Sequence, residues 1–179
     1  MLDLETLSTL PEAVILTFGA IKFDPYGNEV TDKGLYLRVN VDEQIGLGRH
    51  VYDGTVEWWG QQDEAVREEA LGEDGRVTLE DFCAQLNRYL VGVDTIWAQG
   101  PVFDIAILEN LYRQLGKPIP WQFWQISDSR TLFKVHGDPR EKGRAAAHNA
   151  LADCYYQAEA VQQVYTRLGL KKAPPPWKQ

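Results

Sequence analysis

The stretch Met1–Leu7, M-L-D-L-E-T-L, sets two carboxylates, Asp3 and Glu5, two residues apart among Leu2, Leu4 and Leu7. Alternation with a period of two predicts a strand that sends its leucines to one face and both acids to the other. No other acidic pair with this spacing occurs in the sequence. Like charges on a mostly buried strand raise each other's pKa and cost stability unless something positive neutralises them. A divalent cation is the natural partner, and hard carboxylate oxygens suit Mg²⁺ or Mn²⁺. The alternative at this point is a sheet-edge strand with both acids in water.

Working outward, E-A-V-I-L-T-F-G-A-I-K-F-D is β-branched and aromatic, and P-Y-G-N after it reads as a turn with Pro second and Gly third. G-L-Y-L-R-V-N-V alternates, with Leu35, Leu37, Val39 and Val41 on one face, which predicts three antiparallel strands in succession. Helical patterns follow, with short helices interrupted at Gly60. T-L-E-D-F-C-A-Q-L-N-R-Y-L opens on Thr78 with Asp81 three residues on, a capping-box spacing. D-T-I-W-A-Q-G reads as a short buried strand, and F-D-I-A-I-L-E-N-L-Y-R-Q-L as a helix ending near Gly116. A further strand is expected around Ile126, then a short helix. The last helix starts after Asn149 and stops at Gly169. This order predicts an α/β protein: one mixed sheet, three antiparallel strands then parallel ones, with helices on both faces.

The totals set bounds. At 179 residues, 44% hydrophobic and 25% charged, one domain is expected over residues 1–170, with an extended tail over 171–179. No apolar run is long enough to span a bilayer, and no secretory signal is visible. Cys83 and Cys154 fit neither a zinc spacing nor a disulfide framework, so reduced core thiols and a cytoplasmic location are expected. A net charge of −8 argues against holding long nucleic acid by counterion release. It leaves open an enzyme that grips a few nucleotides through bound cations. Arg130, Lys134, Arg140, Lys142 and Arg144 form a local basic run, read either as a solvated loop or as phosphate contacts.

Two more places draw attention. Asp104 begins the helix after the strand T-I-W-A, where a cap is one reading and a metal ligand another, since ligands of α/β sheets gather at strand ends. In H-N-A-L-A-D, Asn149 caps the last helix, leaving His148 outside it and Asp153 one turn inside. A histidine there is either a solvated loop residue or a general base working near neutral pH.

Together, D-x-E in the first strand, Asp104, and H-x-x-x-x-D at the last helix resemble the DEDDh family of 3′→5′ exonucleases, which have an RNase H-like fold. The likeness runs from Met1 to about Leu168. D-L-E-T-L-S-T, E-W-W-G-Q-Q-D-E-A-V-R, W-A-Q-G-P-V-F-D-I-A-I-L and D-S-R-T-L look like the DexA-like phage exonucleases and their bacterial exoribonuclease relatives. The resemblance implies Asp3, Glu5, Asp104 and Asp153 as ligands of two Mg²⁺ or Mn²⁺ ions, His148 as general base, and the 3′ end of a single-stranded nucleic acid as substrate. It also implies that Thr6 and Leu7 meet the terminal nucleotide, Leu7 wedging against its base. Trp58, Trp59 and Gln62 of the W-W-x-x-Q stretch, Gln99 and Arg130 are further substrate candidates, one tryptophan stacking on a base and the other equally suited to the core. Asp128, in D-x-R-T, either assists the site or caps a helix. Only Met1 and Leu2 precede Asp3, so either the first strand is short or the natural chain starts earlier.

Competing expectations are a structure-specific endonuclease of the same fold, a non-catalytic nucleic-acid-binding domain, and a metal-dependent phosphatase acting on nucleotides. RNA against DNA is not decided, because no motif assigns a contact to the 2′-OH. The oligomeric state stays open; a homodimer is compatible with tryptophans that would serve an interface as well as a base.

Overall fold

Leu2–Thr6 forms strand β1, with Leu2, Leu4 and Thr6 buried and Asp3 and Glu5 partly exposed, as the alternation requires. The computed structural model describes residues 1–140 and 148–172. Antiparallel to β1 runs β2 (Ile15–Ala20), buried along its whole length, and antiparallel to β2 runs β3 (Leu35–Val39). A two-residue strand, β4 (Arg76–Val77), lies parallel to β3 and completes a four-stranded mixed sheet in the order β1-β2-β3-β4. The strands β5 (Ile96–Ala98) and β6 (Ile126–Asp128) pair in parallel as a second, two-stranded sheet.

Helices cover both faces. On the leucine face, Leu2, Leu4, Phe18, Leu37 and Val39 pack with Phe82 and Leu86 of α4 (Leu79–Tyr89) and Leu108, Leu111 and Tyr112 of α5 (Pro101–Gln114). Phe18 and Phe82 meet edge to face at 5.5 Å, a geometry worth ~0.5–1.5 kcal/mol beyond area burial. On the acidic face, Trp97 and Phe133 of α6 (Ser129–His136) pack with Cys154, Ala158, Val161 and Val164 of α7 (Ala150–Arg167). Near the end of β1, a smaller cluster joins Leu7, Val14 and Leu16 to Trp59 of α2 (Asp53–Gly60) and Ala70 of α3 (Glu64–Leu71). Cys83 and Cys154 are both free and buried, as expected. Among the described residues no helix is long and apolar enough to cross a membrane.

Several expectations need correction. The single mixed sheet is two hydrogen-bonded sheets: β5 lies beside β1, but the Leu4 amide donates to the Asp104 carboxylate at 3.2 Å. Val41, expected to continue the β3 face, instead opens helix α1 (Val41–Gly46), because the Asn40 side chain accepts the Glu43 amide and two acids fill the first turn. The turn after β2 closes from the Gly27 amide to the Asp24 carbonyl, so Pro25 is second but Gly27 is fourth. Thr78 caps α4 by accepting the Asp81 amide, while the short Asp81 carboxylate takes the Thr78 hydroxyl in place of the backbone arm of a full capping box. Residues 173–179 of the expected tail lie outside the described residues.

The placement of α7 depends on one glycine. Gly19 of β2 pairs with Asp3 of β1. A Cβ added there would run into the Ala150 carbonyl and the Leu151 amide, so the first turn of α7 rests on bare backbone. Gly19→Ala should therefore destabilise the protein by roughly 1–3 kcal/mol or more in urea unfolding, since overpacking forces backbone shifts. The same shift would move the first turn of α7, which carries Asp153.

Candidate active site

β1 carries Asp3 and Glu5 to the face on which α7 lands, and α7 delivers Asp153 in its first turn. One ligand oxygen from each of the three lies within 4.8 Å of the others. The Asn149 side chain fixes the start of that helix by accepting the Ala152 amide at 2.9 Å. Between Glu5 and Thr6 the pairing of β1 with β2 shifts register, a local irregularity of the kind that re-aims side chains beside sites.

Asp104 arrives from the other sheet. After β5 the backbone passes through Gly100 in a left-handed conformation (φ 104), with Pro101 as first residue of α5. Gly100 is the cap, so Asp104 sits inside the first turn rather than at the cap position. It is 3% exposed and accepts the Leu4 amide. Asp104 is outside the 4.8 Å group but is bonded to the residue between the two β1 acids.

The electrostatics are those of a crowded anionic site. Burial, reinforced by Asp104 and Glu5, raises the Asp3 carboxyl well above its usual range. Burial, with Asp153 and Asp104, pushes Glu5 up to about 8. Asp104 is pushed to about 7 by burial, against the pull of its backbone hydrogen bonds and Arg130. Asp153 is pushed to about 6 by burial, against Arg140. The three grouped carboxylates offer hard oxygen donors with no nitrogen or sulfur among them, a set that could hold a hard divalent cation.

His148 is exposed and holds a positive φ of 46°, uncommon for a residue with a side chain. Its imidazole meets Trp58 edge to face at 4.7 Å and Trp59 at 6.2 Å. The two tryptophans differ sharply. Trp58 is 39% exposed; Trp59 is 1% exposed, its indole N–H donating to the Thr6 carbonyl at 3.0 Å. Trp59, expected among the substrate contacts, is thus enclosed and braces the end of β1. Thr6 and Leu7 are enclosed as well: the Thr6 hydroxyl donates to the Ser8 carbonyl, and Leu7 packs in the cluster with Trp59. Gln62 is partly buried and donates to the Trp58 carbonyl, supporting the end of α2.

Two arginines converge on Gln99, the residue following β5. Arg130 donates to its carbonyl at 2.8 Å and Arg140 to its side-chain oxygen at 2.6 Å. Asp138 pairs with Arg140, also at 2.6 Å. Lys142 and Arg144 of the basic run lie outside the described residues. Asp128 caps α6 by accepting the Arg130 amide, and also accepts the Gly100 amide and the Thr131 hydroxyl. It thereby pins the turn that aims Asp104. Gln157 was not among the sequence candidates: it donates to Asp3 at 3.1 Å. Its signal was available, as a polar residue four positions after Asp153 on the buried stripe of α7.

A family model for the 3′-5′ exoribonuclease Rv2179c-like domain matches residues 1–165. No curated protein matches the chain.

All four carboxyl groups hold protons more tightly when folded than when unfolded, so the folded state binds more protons between about pH 4 and pH 8. Stability of the metal-free protein should therefore fall as pH rises through that window. Calorimetry should show the melting temperature dropping from pH 5 to pH 9 without divalent ions, and the gain on adding Mg²⁺ should be largest at the alkaline end. A flat profile in both conditions would contradict the clustered-carboxylate account.

Proposed function

The chain belongs to the Rv2179c-like 3′-5′ exoribonuclease domain family, and on that premise we propose that it removes nucleoside 5′-monophosphates from the 3′ end of single-stranded RNA with the help of two divalent ions. Family membership makes it an enzyme with 3′→5′ exonuclease activity. The preference for RNA rests on the family description, and the chemistry rests on one observation, the convergence of Asp3, Glu5 and Asp153 within 4.8 Å. In this reading the protein is a DEDDh enzyme of RNase H-like fold.

Asp3, Glu5, Asp104 and Asp153 would hold the Mg²⁺ or Mn²⁺ ions. Bound there, the ions would lower the pKa of an attacking water and stabilise the charge on the leaving oxygen. His148 takes the proton of that water on a ring nitrogen as its oxygen attacks phosphorus. The P–O3′ bond breaks, and the leaving 3′-oxygen takes a proton from solvent. Trp58 orients the imidazole edge to face and offers its exposed ring to a base, an interaction worth ~1–3 kcal/mol. Arg130 and Arg140 beside Gln99 offer charge-assisted donors to backbone phosphates.

Matched 5′-labelled RNA and DNA oligomers, digested with Mg²⁺, Mn²⁺ or EDTA, test this directly. RNA should shorten stepwise to mononucleotides, faster than DNA, and EDTA should stop it. A circular single-stranded RNA should survive; its cleavage would mean an endonuclease.

Asp3→Ala or Asp153→Ala should nearly abolish hydrolysis. His148→Ala should lose roughly 10²–10⁴ in rate while keeping the metal-induced rise in melting temperature. Full turnover by the Asp3 variant would overturn the mechanism.

A further inference from the structure

Gln157 is 5% exposed and lies one turn beyond Asp153 on the same face of α7. Its amide nitrogen donates to Asp3 Oδ1 at 3.1 Å. Its amide oxygen is buried and has no hydrogen-bond partner among the described residues. A buried acceptor left unpaired is costly, and native proteins keep few of them. With its N–H committed to Asp3 Oδ1, the amide keeps Oε1 as its one unsatisfied polar atom. Nothing among the acids can satisfy that oxygen once they are ionised, because carboxylates only accept. What is missing is an O–H donor that reaches this buried oxygen.

A water in the hydration shell of a divalent cation is such a donor, and Mg²⁺ keeps several of its waters when bound by carboxylates. We propose that Gln157 is a positioning residue for the metal site: its N–H holds one oxygen of Asp3, and its carbonyl oxygen accepts a hydrogen from a water carried by an ion that Asp3 binds. This rests on the reading of the acidic group as a metal site. Gln157 then does two things at once, fixing the ligand and ordering the ion's retained water. Partners of this kind typically change metal affinity by about 10–100-fold when removed.

The test is Gln157→Met, which keeps volume and removes both polar atoms, with Gln157→Asn as a second variant that withdraws the amide by one methylene. Isothermal titration of the metal-free proteins should give Mg²⁺ dissociation constants weakened about 10–100-fold, and Mn²⁺ constants weakened less, because Mn²⁺ gives up water more readily. At saturating Mg²⁺ the turnover number on a labelled RNA oligomer should return to near that of the parent, and the rise in melting temperature at a fixed low Mg²⁺ concentration should shrink. A structural role alone would lower the melting temperature of the metal-free variants and leave the metal-induced rise intact; that result, or dissociation constants within twofold of the parent for both variants, would overturn the inference while leaving the exonuclease reading in place. A parent protein that binds no divalent ion would overturn both.

Discussion

The contact between the first turn of α7 and the bare backbone of Gly19 governs the rest of this structure. Without a side chain at Gly19, the helix can lie on β2 next to the residue that pairs with Asp3. That approach brings Asp153 to Asp3 and Glu5, and sets Gln157 against Asp3 one turn later. It also anchors the helix whose cap, Asn149, adjoins His148. Close packing of α7 on that face therefore produces charge crowding on the same face. The leucine face of β1 makes this tolerable, because Leu2 and Leu4 are locked among Phe18, Phe82 and Leu108 and hold the strand in register.

Raised carboxyl pKa values and orphaned acceptor atoms are the marks of a site arranged for something other than stability. A core designed only to fold would not gather four acids around one strand. Here the supporting bonds come from groups outside the cluster: the Leu4 amide for Asp104, the Gln157 amide for Asp3, and arginine charges reaching Asp104 and Asp153. Each is a partial compensation, and burial still raises all four carboxyl pKa values.

Much of this was legible in the residues. Leu2 and Leu4 alternating with Asp3 and Glu5 identified β1 and its two faces, and Asn149 and Gly169 bounded α7 where the structure has it. What escaped had local signals too weak or shared. Val41 fits a strand alternation as well as a helix start, and the cap at Asn40 decided it. β4 is two residues long and forms only because β3 is there to pair with it. Trp58 and Trp59 are adjacent and chemically alike, and only the helical turn that points one at Thr6 and the other outward separates them. Thr6 and Leu7 follow the acids directly, yet the packing of Leu7 with Trp59 draws them inward. Gly19 carried no mark in sequence, since a glycine in a strand has several uses.

The bond between Leu4 and Asp104 has a further bearing on how the protein behaves in a crowded solution. β1 is the end strand of the four-stranded sheet, with backbone groups that β2 does not use. An open strand edge is a template on which another chain can pair and start aggregation. Here β5 lies beside that edge without pairing to it, and side chains take two of its backbone groups, a carboxylate the Leu4 amide and the Trp59 indole the Thr6 carbonyl. The Asp104 carboxylate thus shields part of the strand from its own kind, and replacing it would leave the Leu4 amide without that partner.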